Sequence, residues 1–293
     1  MPPLASVVIP AFNRAKLIEK TVRSVLDQTH QDFEVIVVDD GSTDDTVSLL
    51  IALAEKDQRI HYLHYDSQRG AQAARNSGIR AAQGTWIAFL DSDDQWLPDS
   101  LEARLGLAQR AKVHVVHSDC NVFQRGDKEA RRFGVPPMEG WVYKELLRRP
   151  GPVFPSLLVS KEALTRIGCL DESITSYQEW DTAIRLAKHY EFAFVSRPTF
   201  IYDCRQEDTI SRNLLCTAIG YEQVFRKHRW AVLKHLGPKA LAFHYQTVAA
   251  HFRLAGDGRK ALRYLLLAIF LWPFRPGAIV RRAQRFLRLA LQR

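Results

Sequence analysis

Short apolar runs alternate with stretches of helical spacing through the first two hundred residues. Ser6-Val-Val-Ile-Pro10 is a strand-like run closed by proline, and Phe33-Glu-Val-Ile-Val-Val-Asp39 is a second that ends in acids. Between them, over 16–29, Leu17, Ile18, Val22, Val25 and Leu26 share one face of a helix. Asp44 or Asp45 can cap the next helix, which carries Val47, Leu50, Ile51 and Leu53. Ile60 to Tyr65 reads as a third strand. An alanine-rich helix follows over 70–83, stopped by Gly84. Trp86-Ile-Ala-Phe-Leu90 is a fourth strand, and it too runs into acids, Asp91-Ser-Asp-Asp94.

Strand–helix alternation of this kind predicts a parallel sheet with helices on both faces. Ligands of such sheets sit at the carboxyl ends of the strands. The loops after Ile9, Val38 and Leu90 should therefore meet at one crevice. Farther on, Val113 to Ser118 is strand-like, and 124–140 reads as a polar loop or hairpin. Helical spacing returns at 161–167 and 179–189. Phe192–Val195 and Thr199–Tyr202 look like two short strands. Helices dominate from about 214, so a boundary is expected near 210–215. Ala250 to Gly258 begins a helix–turn–helix resembling one tetratricopeptide-like hairpin. Residues 259–272 are apolar nearly all round, which predicts a buried helix.

Composition adds less than pattern. With 293 residues, 46% hydrophobic and 25% charged, the chain is an ordinary globular protein. It is neither disordered, nor a collagen-like fibre, nor a disulfide miniprotein. Cys120, Cys169, Cys204 and Cys216 are scattered without a C-x-x-C pair, so no zinc site or redox dithiol is indicated. Four reduced thiols in a cytoplasmic protein are expected. The start of the chain does not read as a signal peptide. The longest apolar run, Leu265 to Trp272, is far shorter than a membrane span. Charge is the unusual feature: 41 Lys and Arg against 32 acids give +9. Residues 251–293 hold ten of those bases and one acid, so the whole excess is C-terminal. It therefore says nothing about the crevice and is poor support for nucleic-acid binding.

Candidate chemistry lies at the acidic strand ends. In an extended segment Asp91 and Asp93, two apart, point to one side. Two carboxylates there suit a hard divalent cation, Mn²⁺ or Mg²⁺, that keeps water and diphosphate oxygens as further ligands. Asp39-Asp40-Gly41-Ser42 makes a turn. Its acids can also accept hydrogen bonds from a base or ribose, with Asp40 favoured for the base and Asp39 for structure. No Gly-x-Gly-x-x-Gly or Walker loop is present, against a dinucleotide oxidoreductase or P-loop ATPase. No Gly-x-Ser-x-Gly elbow points to a serine hydrolase. The tract Val113-His-Val-Val-His117 reads as a strand with polar edges rather than a metal site.

Together these segments resemble the family-2 glycosyltransferases of GT-A fold. The resemblance rests on Ser6-Val-Val-Ile-Pro-Ala-Phe-Asn-Arg14 and Val37-Val-Asp-Asp-Gly-Ser-Thr-Asp-Asp-Thr46. It rests also on Arg75-Asn76-x-Gly78 and Gly84-Thr-Trp-Ile-Ala-Phe-Leu-Asp-Ser-Asp-Asp94. These occur in the family's order and cover roughly 5–212. The implied fold is α/β, a GT-A Rossmann-like mixed, mainly parallel sheet flanked by helices. It would form a domain over 1–212, with an all-helical C-terminal extension over 213–293. The implied activity is transfer of a sugar from a nucleoside diphosphate-sugar, UDP-sugar favoured, to an acceptor hydroxyl. A glycan or lipid-linked saccharide of cell-surface polysaccharide or lipopolysaccharide synthesis is the expected acceptor.

By the same resemblance, Pro10, Phe12 and Asn13 line the nucleotide pocket with Ser92, and Asp40 meets the base. Asp91 faces the ribose side and can share the metal with Asp93. Arg69 and Arg75 are candidates for the nucleotide or phosphates, against a reading as solvated helix-face arginines. Tyr177-Gln-Glu-Trp-Asp-Thr-Ala-Ile-Arg185 aligns with the family's base segment and puts Glu179 at the base position, where Asp is usual. Asp181 competes for that role, though capping or pairing with Arg185 suits it better. The implied reaction is one inverting displacement. Pro152–Ser156 and Gly168–Glu172 are expected to shape the acceptor side. Arg205-Gln-Glu-Asp-Thr-Ile-Ser211 lies where relatives carry a loop over the donor, with Arg205 and Ser211 as candidates. The signature Gln-x-x-Arg-Trp of processive synthases is absent, which favours single additions.

In the tail, Ile279, Val280, Ala283, Phe286 and Leu287 share a face opposite Arg281, Arg282, Arg285 and Arg288. Residues 274–293 are thus expected either to pack on the protein or to lie on anionic lipid at the inner face of the cytoplasmic membrane. Two other functions compete: a nucleotidyltransferase, which would consume a nucleoside triphosphate, and a non-catalytic sugar-nucleotide-binding or membrane adaptor.

Overall fold

A computed structural model describes residues 3–124, 126–127, 129–135, 137–205 and 213–273, which fall into two compact units. The first unit comprises Met1–Val142, Gly151–Glu172 and Thr182–Arg205; the second comprises Tyr143–Pro150, Ser173–Asp181 and Gln206–Arg293.

In the first unit β1 (Ala5–Ala11), α1 (Ile18–Leu26), β2 (Phe33–Asp39), α2 (Thr46–Lys56), β3 (Ile60–His64), α3 (Ala71–Ala81) and β4 (Trp86–Phe89) follow one another. This is the expected alternation. β3, β2, β1 and β4 lie side by side and parallel. β1 and β2 are buried along their whole length, as continuous Val/Ile runs require of a sheet covered on both faces. Their register sets Ala11 beside Asp39, so both strands end at one level. A Cβ on Gly78 would collide with the Val8 side chain, so glycine there lets α3 lie directly on β1.

The chain continues through β5 (Gln95–Trp96), α4 (Ser100–Ala111), β6 (Val115–Phe123), β7 (Arg131–Phe133) and α5 (Tyr143–Leu146), a single turn of the second unit. A 3₁₀ turn at Phe154–Ser156, then β8 (Leu158–Ser160), α6 (Lys161–Arg166), α7 (Gln178–Leu186) and β9 (Phe192–Asp203) follow. Here the sheet turns mixed: β8 is antiparallel to β4 and β6, β9 is parallel to β6, and β5 is antiparallel to β9. The polar stretch 124–140 contains a hairpin strand, with β7 pairing β6. The two short strands expected at 192–195 and 199–202 are one strand. Its register against β6 slips on both sides of Asp119, which pairs with Pro198 and leaves Ser196, Arg197 and Thr199 outside the register. The 113–117 tract does run into a strand, β6, but His117 is not at a polar edge of it. β6 lies between β8 and β9, and His117 is fully buried with Nε2 3.1 Å from the Met138 carbonyl. Burial pulls the pKa of its imidazole down to about 4, so it is neutral.

In the second unit α8 (Leu214–Leu236), α9 (Pro238–Leu254) and α10 (Gly258–Leu271) join α5 and the first turn of α7. α9 and α10 form the expected helix–turn–helix. α10 corrects one expectation, for it is not buried all round. Ala261 and Ala268 are buried, whereas Leu262, Leu266 and Phe270 are 58%, 57% and 85% exposed. The two alanines, seven residues apart, make a narrow seam against α9, where Tyr264 stacks on Phe252 and Tyr245. Leu262, Leu266, Leu267, Ile269 and Phe270 are left exposed, while Tyr264 and Leu265 are half-buried. Among the described residues no helix is long and apolar enough to cross a membrane. The tail at 274–293 lies outside the described residues.

Candidate active site

The loops after β1 and β2 are stitched together. The Asn13 N–H donates to Ser42 Oγ at 2.8 Å, and Asn13 Oδ1 accepts from the Thr43 N–H at 2.8 Å. Asn13 has φ +51°, in the left-handed region that asparagine tolerates. Gly41 has φ +80°, and a Cβ there would stand 2.8 Å from the Ser67 carbonyl carbon. Glycine is thus required twice over, for the turn and for the approach of the segment before α3. Asp39 accepts from the Ser42 N–H at 3.0 Å and lies 2.8 Å from His64 Nδ1, the structural role expected of it. Asp40 is buried and accepts from the N–H groups of Arg69 and Gly70 at 2.7 and 2.8 Å. It ties the β2 loop to the start of α3, and each oxygen has a second lone pair. Pro10 is the buried partner of Val38 at the end of β1, and Phe12 is half-buried just beyond.

Arg75 is no solvated arginine. It is 6% exposed, donates to Asp91 at 2.5 Å and to Gln72 at 2.9 Å, and lies 4.4 Å from the Phe154 ring centroid. Phe154, within the Pro152–Ser156 segment, therefore packs against the Arg75 guanidinium. Asn76, one residue on, clamps the 168–172 loop, donating to the Leu170 carbonyl at 2.9 Å and to Glu172 at 2.7 Å. Arg69 is exposed and lies over the Tyr65 ring at 4.4 Å.

Residues 91–94 form a turn, closed by the Asp94 N–H on the Asp91 carbonyl at 3.0 Å, rather than the extended segment that the i, i+2 argument assumed. Asp93 still feels Asp91. Burial first, and then the Asp91 charge, raise its pKa to about 6, with the Arg14 guanidinium opposing. Ser92 is buried, and its carbonyl accepts from Thr21 Oγ1 at 3.0 Å. Asp94 turns into the protein, fully buried. Its Oδ1 accepts from the Asp203 N–H at 3.0 Å, and burial holds its pKa well above the usual carboxylate range. Asp203 in turn grips Arg205 Nε at 2.8 Å, and Arg205 lies 4.4 Å from the Phe123 ring centroid. Ser211 lies outside the described residues.

The donor set fits a divalent cation that brings part of its own shell. Asp91 and Asp93 repel one another at the end of β4, and a cation relieves that repulsion. Among the described residues no group of three or more His, Cys, Asp or Glu side chains could hold a metal by itself. Mg²⁺-type sites commonly use one or two carboxylates and complete the shell with phosphates and water.

Glu179 belongs to the second unit, half-buried in the first turn of α7. The preceding turn is fastened to α8. Gln223 accepts from the Thr175 N–H and donates to the Ser173 carbonyl, both at 3.0 Å. Tyr177 has φ +59° and meets Tyr221 edge-on at 5.4 Å. A Cβ on Gly220 would lie 2.5 Å from Ser176 O. Gly220→Ala is therefore expected to displace this turn. It should cost about 1–3 kcal/mol in unfolding free energy and lower kcat without weakening donor binding. Unchanged stability and kcat would show that the approach is dispensable. Asp181 is fully buried, with His228 Nε2 at 2.7 Å and Lys227 Nζ at 3.0 Å. Arg185 donates to the carbonyls of Ile167 and Cys169 at 2.8 and 2.6 Å.

The sequence profile of Glycosyl transferase family 2 matches residues 6–156. The chain belongs to that family. A GalNAc(5)-diNAcBac-PP-undecaprenol beta-1,3-glucosyltransferase of Campylobacter jejuni is 36% identical over 271 residues, covering 89% of this chain and 86% of the relative. A putative teichuronic acid biosynthesis glycosyltransferase, TuaG of Bacillus subtilis, is 48% identical over 103 residues, 35% of this chain and 41% of that one. The chain spans less than half the length of several other curated glycosyltransferases it matches. Staphylococcus aureus TarS 1–349, solved with UDP-GlcNAc, superposes with TM-score 0.70 at 18% identity, over 96% of this chain and 84% of its own. It shows the GT-A arrangement, a mixed α/β sheet flanked by helices and followed by C-terminal helices.

The family-2 match takes in every crevice residue from Pro10 to Asp93 and stops before Glu179, Asp181 and Arg205. Three further residues of these motifs find partners in the structure. Arg14 acts on Asp93 by charge, Asn76 clamps the 168–172 loop, and Asp94 anchors the end of β9. All three stand inside the quoted motifs, which was the available signal.

Proposed function

We propose that this family-2 enzyme moves a sugar from a nucleoside diphosphate-sugar, UDP-sugar favoured, to a hydroxyl of a glycan or lipid-linked saccharide in cell-surface polysaccharide synthesis. What supports the reading is the pair of carboxylates at the end of β4, where the Asp91 charge helps to raise the pKa of a buried Asp93. That suits a diphosphate able to complete the shell. The stitched β1 and β2 loops, with Asp40, would hold the base, and Arg75 would steady Asp91 on the ribose side. Asp93, with Asp91, would hold Mn²⁺ or Mg²⁺. When bound, the cation offsets charge on the leaving diphosphate.

Glu179 takes the proton of the acceptor hydroxyl, whose oxygen bonds to the anomeric carbon as the bond to the diphosphate breaks. The configuration inverts in that single displacement. Sugar transfer is assigned to residues 1–212, of which the segments 143–150 and 173–181 group with the helices of the second unit; residues 213–293 are its extension, and the protein is peripheral to the inner face of the cytoplasmic membrane. The two undecaprenol- and teichuronic-type relatives support this class of acceptor. The test is a panel of sugar nucleotides with and without Mn²⁺ or Mg²⁺. Nucleoside diphosphate release that needs the cation is expected. Pyrophosphate release from nucleoside triphosphates, or no turnover of any donor, would replace the reading.

A further inference from the structure

α10 presents an apolar row to solvent. Leu262, Leu266 and Phe270 recur every four residues and are each more than half exposed. Leu267, Arg259 and Arg263 line the same shallow depression. Contiguous exposed apolar surface of this kind marks a contact site. The sign of the surrounding charge selects what makes the contact. Residues 251–293 carry ten Lys and Arg against one acid. A second copy docking through this same region, or the chain's own residues 274–293, would set bases against Arg259 and Arg263. An anionic bilayer instead offers phosphates to the arginines and hydrocarbon to the leucines and Phe270. Arginine stems lie readily along apolar surface while their heads reach the phosphates. A helix with a basic border and a Leu/Phe face is suited to the interface plane.

We propose that the Leu262–Leu266–Phe270 face of α10 docks on an anionic membrane surface. The inference deepens, and rests on, the peripheral location proposed above, but assigns it to α10. The full chain should sediment with vesicles of mixed phosphatidylcholine and phosphatidylglycerol and not with phosphatidylcholine alone. Leu266→Glu/Phe270→Glu should lower the bound fraction roughly tenfold or more, with unchanged circular dichroism and unchanged turnover of donor with a soluble acceptor. Arg259→Glu/Arg263→Glu should remove the preference for anionic lipid. Wild-type protein that ignores the anionic vesicles, or variants that bind like wild type, would overturn the proposal. So would a change in sedimentation coefficient without a change in vesicle binding, which would point to a second copy. Loss of vesicle binding only on Ile279→Glu/Phe286→Glu would move the contact to the tail and overturn it too. Donor turnover reports the catalytic reading separately, so either can fail alone.

Discussion

Glu179→Gln is expected to lower the transfer rate by about 10²–10⁴-fold while donor affinity stays within a factor of about two. Glutamine keeps the size and loses the proton acceptor, so the loss should fall on kcat. Isothermal titration with the nucleoside diphosphate, set beside initial rates, separates the two. Full activity in Glu179→Gln would remove the base assignment. The control is Asp181→Asn in the same helix. The Asp181 carboxylate is occupied by His228 and Lys227 and is fully buried. Breaking such a pair commonly costs about 3–5 kcal/mol of stability, so Asp181→Asn should lower Tm far more than Glu179→Gln does. If Asp181→Asn were as stable as wild type yet inactive, the two residues would exchange roles.

Asp93→Ala is expected to abolish the cation-dependent part of donor binding and to lower turnover by at least about a hundredfold. Asp91 alone, already paired with Arg75, is a poor replacement. The pH dependence is a second readout. The Asp93 pKa is raised from its ordinary value to about 6, by burial first and Asp91 second. A carboxyl raised in this way favours the folded state most when protonated. Its contribution in metal-free protein is full below about pH 4 and is lost as pH rises through about 6. The Tm of wild type minus that of Asp93→Asn should therefore fall by a few degrees across that window without cation. Mn²⁺ binds the ionised form, so it should raise the wild-type Tm above pH 6 and lose that effect below it. A cation effect independent of pH, or one preserved in Asp93→Ala, would place the ion elsewhere.

Much of this was legible in the chain because the chemistry sits where short-range rules apply. A buried parallel strand must be a continuous Val/Ile run, and its end must be a turn, so the Asp39–Asp40 and Asp91–Asp93 loops announce themselves. Residues that hide are those whose meaning lies in a distant partner. Nothing near Asp94 in sequence reveals that its Oδ1 will meet the Asp203 N–H. Helix α4 shows no clean apolar period in the sequence because Arg104 occupies a core-facing position. The fold supplies that arginine with the Pro155 and Leu157 carbonyls and the Trp96 ring.

The same division separates α10 from β1. Both are apolar runs, and hydrophobicity alone predicts burial for both. β1 is buried because its backbone must pair on two sides, with β2 and β4, and pairing fixes its neighbours. A helix satisfies its own backbone, so its apolar face is covered only if another element happens to lie there. The sequence by itself determined the family, the strand ends and the acids that stand on them. Only the tertiary structure decided which of those acids are shared with arginine, which are sealed in the interior, and that Leu262, Leu266 and Phe270 of α10 face outward.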